Sequence, residues 1–189
     1  TREEICVTDI HYTSWGPRHA GENAVLLVGK GPEELGSFGV EKAEVGGETW
    51  QLKADGAKGV LVRTGDGREF RADGAAGPKK QVAVDLAGKK LTLVNENSSN
   101  WVVLDPDGVK IAQFSGTNNG VRRSILEFSA DEEEPEKARA AIDALTRDEV
   151  VALSFFTRTI LEAKLSRTSG MVIVTLVAAT ILAVLTFLI

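Results

Sequence analysis

The sequence is short of the residues that usually carry chemistry. It holds one cysteine and two histidines in 189 residues. Cys6 stands alone, so it forms no intrachain disulfide, which suits a reducing compartment without requiring one. Within Ile5-Cys6-Val7 it reads as a small buried residue rather than a nucleophile. His11 and His19 flank Gly16-Pro17, and no Cys–His or His–Glu metal spacing surrounds them. They read as surface or strand histidines. No G-x-S-x-G elbow is present. The glycine-rich runs match neither G-x-x-x-x-G-K-[ST] nor G-x-G-x-x-G between a strand and a helix. The expectation is a non-enzyme with no catalytic residue, cofactor or metal. A Ser–His–Asp set stays open only because its members can be distant in sequence.

Positive charge is also in deficit. Lys and Arg number 22 against 27 Asp and Glu, a net charge of −5. Every charged residue precedes Met171. Such an acidic domain is a poor match for nucleic acid, where cations must replace phosphate counterions. It is equally poor at adsorbing to an anionic leaflet by charge alone. Thr1-Arg2-Glu3-Glu4 opens the chain without an apolar stretch of signal-peptide type. Either an initiator Met was trimmed or the chain is already processed, and a removed signal would reverse the topology given below.

Against these absences, the run Met171–Ile189 is conspicuous. It contains no charge, glycine or proline and as a helix spans roughly 28 Å, close to the hydrocarbon thickness. It reads as a transmembrane anchor, the alternative being a helix buried inside protein. Lys164 and Arg167 flank its N-terminal side, so the positive-inside bias places the preceding domain in the cytoplasm, in a single-pass protein. Thr175, Ala179 and Ala183 recur every four residues and Thr186 follows, along one side of the helix. Ile173, Leu176, Leu185 and Phe187 occupy the opposite surface. Small residues permit close helix approach in lipid, so this stripe is a candidate packing face for other membrane helices.

The preceding chain predicts hairpins at a regular spacing. Val40–Ala54, Gly59–Ala72, Gln81–Val94 and Trp101–Phe114 each alternate apolar and polar residues about a turn. The turns are Gly46-Gly47, Asp66-Gly67, Ala87-Gly88 and Asp107-Gly108, of the kind that supplies positive φ. With strands at Ile5–Tyr12, Ala24–Val28 and Val121–Phe128 the total is about eleven, enough to close a barrel or sandwich. Asp73–Lys80 and Asn95–Asn100 read as surface loops. Asp131–Glu134 reads as the acidic first turn of a helix. Trp15, Trp50 and Trp101 read as packing residues, with Trp15 a candidate for an exposed interfacial position. Lys79-Lys80 and Arg122-Arg123 are solvated surface unless their loops face a membrane.

Two amphipathic helices follow, at Glu133–Leu145 and from Thr146 to Leu165. Thr146-Arg147-Asp148-Glu149 is a capping-box pattern opening the second. The chain divides into a mainly β (α+β) antiparallel meander over 1–130 and a helical segment, on or in the β domain, over 131–165. A short linker over 166–170 and the anchor over 171–189 complete it. So short a linker holds the domain close to the bilayer.

Trp101–Phe114 (WVVLDPDGVKIAQF), together with the helical Asp148–Leu165, resembles the tubby-like superfamily, which includes phospholipid scramblases and LURP-one-related proteins. The resemblance implies a closed antiparallel barrel around a hydrophobic helix. Asp148–Leu165 is the favoured candidate for that helix, and Met171–Ile189 the other. It also implies a lipid-contacting or protein-docking module. The leading functional expectation is an accessory or scaffold subunit of a larger membrane complex, partnered by other transmembrane proteins and the lipid bilayer. A lipid-binding or scramblase-like protein is the alternative.

Overall fold

The computed structural model describes residues 10–16, 22–55, 59–73, 81–97, 100–116, 124–129 and 133–188, with the side chains of Asp55 and most of 164–188 outside that description. Twelve strands form one closed antiparallel barrel. They are β1 (Tyr12–Trp15), β2 (Ala24–Val28), β3 (Glu34–Phe38), β4 (Lys42–Val45), β5 (Glu48–Asp55) and β6 (Gly59–Arg63), followed by β7 (Glu69–Asp73), β8 (Gln81–Leu86), β9 (Lys89–Asn95), β10 (Asn100–Leu104), β11 (Lys110–Ser115) and β12 (Ile125–Phe128). Each pairs with its neighbours in sequence, and β1 closes on β12 through Thr13↔Leu126. Closure leaves no unpaired edge.

The alternation read in the sequence decides which side of each strand faces the interior. On β8, Val82, Val84 and Leu86 are buried while Gln81 and Ala83 are exposed. The four predicted units are the hairpins β4–β5, β6–β7, β8–β9 and β10–β11. In a meander, successive connections alternate between the two ends of the barrel, so all four predicted turns lie at one end. Gly46 and Gly47 both have positive φ there, as do Ala87 and Gly88.

The strand count exceeds the expected eleven because β3 carries no alternating signal. Its sequence, ELGSF, is short and interrupted by Gly36. That glycine has a packing reason: a Cβ there would lie 2.9 Å from Val45 Cγ2 and 3.0 Å from the Glu44 carbonyl oxygen. Close approach to β4 requires a residue that reads, in sequence, as a strand breaker. The first described strand starts at Tyr12, and residues 5–9 and 121–123 of the two outer predicted strands lie outside the described residues.

Two helices follow. The first, α1 (Pro135–Asp143), has Pro135 in its first turn and packs on β11. Glu134 is its N-cap and the described acids Glu133 and Glu134 precede the helix, so only Glu136 is acidic within its first turn. The second, α2 (Arg147–Leu188), is a single helix of 42 residues. Two expectations are corrected here. The second predicted helix is not amphipathic, because Val150–Arg158 is buried on every side. Nor is there a linker at 166–170, since α2 runs unbroken through Ser166–Gly170. That segment holds no proline, and one glycine costs only about 1 kcal/mol in a helix already propagating from the preceding turns.

The buried part of α2 is the core of the barrel. Val150, Leu153 and Phe156 are completely inaccessible and join one cluster with inward residues from all twelve strands. A helix ringed by strands has no polar face to spare, which explains its apolar circumference.

Candidate functional site

Among the described residues no cluster of reactive side chains dominates, so the candidate site is built on α2 itself. Its start, its passage through the barrel and its emergence present different chemistry.

At the turn end, reciprocal capping fixes the first turn. The Thr146 N–H donates to Glu149 Oε2 at 2.7 Å, and the Glu149 N–H donates to Thr146 Oγ1 at 3.3 Å. This is the capping box expected from the sequence. Three β-turns then grip the helix. Arg68, from the β6–β7 turn, donates to Asp148 Oδ2 at 2.6 Å. Lys89, at the β8–β9 turn, donates to Glu149 Oε2 and to the Ala144 carbonyl, both at 2.6 Å. Arg147 lies 3.6 Å from Glu33, beside the β2–β3 turn. The Asp148 carboxylate raises the Arg68 pKa above its ordinary value, with burial opposing it.

Inside the barrel, the buried hydroxyls of Thr13 and Ser154 are paired. Ser154 donates to the Val150 carbonyl at 2.8 Å, which leaves Thr13 as donor in the 2.8 Å bond between the two hydroxyls. Phe155 stacks on Phe38, with centroids 5.2 Å apart. At the end where α2 leaves, here the exit end, the Arg158 guanidinium lies 4.3 Å from the Trp15 ring centroid. Arg158 Nε also donates to Glu162 at 2.9 Å. Trp15 is therefore a buried packing residue, and the alternative of an exposed interfacial position is corrected: its indole face is covered by a cation carried on the central helix. No sequence spacing links residues 15 and 158, so this pair could not be read beforehand. Trp50 and Trp101 are buried as predicted.

Beyond the barrel the character of α2 changes. Ile173, Leu176, Val177 and Val184 are 52–61% exposed. Thr175, Ala179 and Thr186 are exposed on the same helix, and the side chain of Ala183 lies outside the described set. The side chains of Lys164 and Arg167 also lie outside it. Among the described residues, no helix is long and apolar enough to cross a membrane. More than half the side chains of Met171–Ile189 are not among those described.

On the barrel wall, an open groove of about 840 Å³ runs between Val40, Glu41 and Lys53 at the exit end and Leu61 and Arg63 on β6. Val40 is 85% exposed. His11 is exposed, whereas Cys6, His19, Lys79-Lys80 and Arg122-Arg123 lie outside the described residues. No group of three His, Cys, Asp or Glu side chains among the described residues is arranged to hold a metal ion. The chain matches no family model, no curated protein and no solved structure.

Proposed function

We propose that the protein is a non-enzymatic, membrane-anchored accessory or scaffold subunit. In this reading the distal part of α2 packs with other membrane helices while the barrel docks on the cytoplasmic face of a larger complex. The observation that carries it is the exposed apolar surface of α2 beyond the barrel, at Ile173, Leu176, Val177 and Val184. Leaving large aliphatic side chains half in water forgoes on the order of 1 kcal/mol each, which lipid or a partner helix would recover. Lys164 and Arg167, on the barrel side of the uncharged run, favour a cytoplasmic barrel. The Thr175, Ala179, Ala183 and Thr186 stripe is the proposed contact with partner helices.

Mild-detergent extraction followed by native gels and mass spectrometry tests this. Stoichiometric co-migration with a larger complex is the expected result, and recovery of the protein alone would count against it. Replacing Thr175, Ala179 and Ala183 with Leu should weaken the co-migration.

A second reading, a lipid-binding or scramblase-like tubby-fold protein, draws support from one feature. A closed antiparallel barrel around a buried helix is the arrangement that the resemblance of Trp101–Phe114 and Asp148–Leu165 implies. Headgroup-selective liposome binding by a chain lacking residues 171–189 would favour it, and no retention on any lipid composition would dismiss it.

A further inference from the structure

We propose that the exit end of the barrel is the surface that faces the phospholipid headgroups, held at a fixed stand-off by the helical stem Glu162–Gly170. The inference rests on the membrane reading above and adds which surface of the barrel meets the bilayer, and at what distance.

Three observations carry it. First, α2 is unbroken from the barrel core into the uncharged run, so the barrel is attached through a rod rather than a tether. Second, that rod is gripped at two levels. Arg68 and Lys89 hold its first turn at one end of the barrel. Phe38 and Trp15, the last residues of β3 and β1, pack on Phe155 and Arg158 toward the other. A rod held at both levels cannot tilt without tilting the barrel. Third, Leu161 is the last described residue of α2 that is buried in the core. From there to Met171 a helix rises about 15 Å.

The headgroup layer is about 5–8 Å deep on each side of the hydrocarbon. The stem therefore crosses that layer and leaves the rim of the barrel just above it. Val40, with Lys42 and Lys53 exposed nearby, lies on this rim. Asp107, on the β10–β11 turn, lies at the opposite end, about 20 Å farther along the barrel axis. The competing arrangement has the barrel lying on its side with the groove between Val40 and Leu61 against lipid. It needs a sharp bend in the stem, where α2 is one uninterrupted helix without proline.

Energy transfer distinguishes the two. The full chain, with Cys6→Ser and a single donor dye on Val40→Cys or Asp107→Cys, is reconstituted into phosphatidylcholine–phosphatidylglycerol liposomes carrying a headgroup-linked acceptor. Transfer should be severalfold more efficient from position 40 than from position 107. Equal or reversed transfer in protein that floats with the liposomes overturns the orientation and leaves the anchor standing. Failure to float refutes the anchor, and the orientation with it. Inserting Gly-Ser-Gly-Ser after Ser169 should bring the two efficiencies together. An unchanged difference would overturn the claim that the stem sets the orientation.

Discussion

Removing the Glu149 carboxylate should loosen the central helix at its start, by an amount the contacts allow to be worked out. Glu149 is 8% exposed and serves two donors with one oxygen: the Thr146 N–H at 2.7 Å and Lys89 Nζ at 2.6 Å. Losing a capping acceptor costs about 1 kcal/mol. A charge-assisted bond contributes about 1.5–3 kcal/mol, but Lys89 stays 30% exposed and rehydrates, so its loss is nearer 1 kcal/mol here. Glu149→Ala should therefore destabilise by about 2 kcal/mol. Glu149→Gln keeps an oxygen for the cap and should cost about half as much. Lys89→Met alone should cost about 1 kcal/mol, and less than about 0.5 kcal/mol when added to Glu149→Ala. Urea unfolding of the full chain in detergent, followed by the fluorescence of the three buried tryptophans, measures each value. Strict additivity of the double variant, or equal effects of Gln and Ala, would refute the assignment of separate cap and ion-pair contributions.

Other outcomes follow from single positions. Ala87 has φ 53°, so Ala87→Gly should raise stability by about 0.5–1 kcal/mol in the same assay, and any loss would contradict left-handed strain there. Gly36→Ala should destabilise by about 1–3 kcal/mol through overpacking against Val45 and Glu44, with the protection of β3 and β4 amides from hydrogen exchange reporting the site. The Asp66 carboxyl is lowered to about 2, mainly by its hydrogen bond from the Thr64 hydroxyl and next by Arg68. Because its folded value is depressed, its stabilising contribution is complete above pH about 4 and fades as pH falls toward the folded value. An NMR titration of Asp66 with a midpoint in the ordinary carboxylate range would exclude this.

Much of the fold was legible because hairpins announce themselves locally. Gly46-Gly47 and Asp66-Gly67 mark turns, and alternation such as Val82-Ala83-Val84 marks the strands beside them. The capping box at Thr146–Glu149 was legible for the same reason, since all its atoms belong to four consecutive residues. What was harder to read depends on residues outside the segment itself. β3 is a strand because Gly36 fits under Val45, a contact its own pentapeptide does not encode. Trp15 is covered by a residue 143 positions away. Helical continuity through Ser166–Gly170 was missed because serine and glycine disfavour a helix only weakly, and the flanking turns outweigh them. The candidate packing stripe was visible as a spacing, but the exposure of its apolar neighbours came only with the structure.

The central helix also dictates how the chain must acquire its shape. All twelve strands precede in sequence the segment that fills them, and the Thr13–Ser154 bond joins residues 141 apart. A barrel closed before α2 arrived would enclose an empty apolar lumen, so closure between β1 and β12 has to wait for the plug. Contacts of such long range make for slow assembly and prolonged exposure of sticky intermediates. Chains cut short before Val150 should accordingly aggregate instead of yielding a smaller stable barrel. In the proposed membrane arrangement, the plug that completes the fold is the same rod that fixes it to lipid, so drawing that helix out of the barrel would dismantle the domain as surely as it released it.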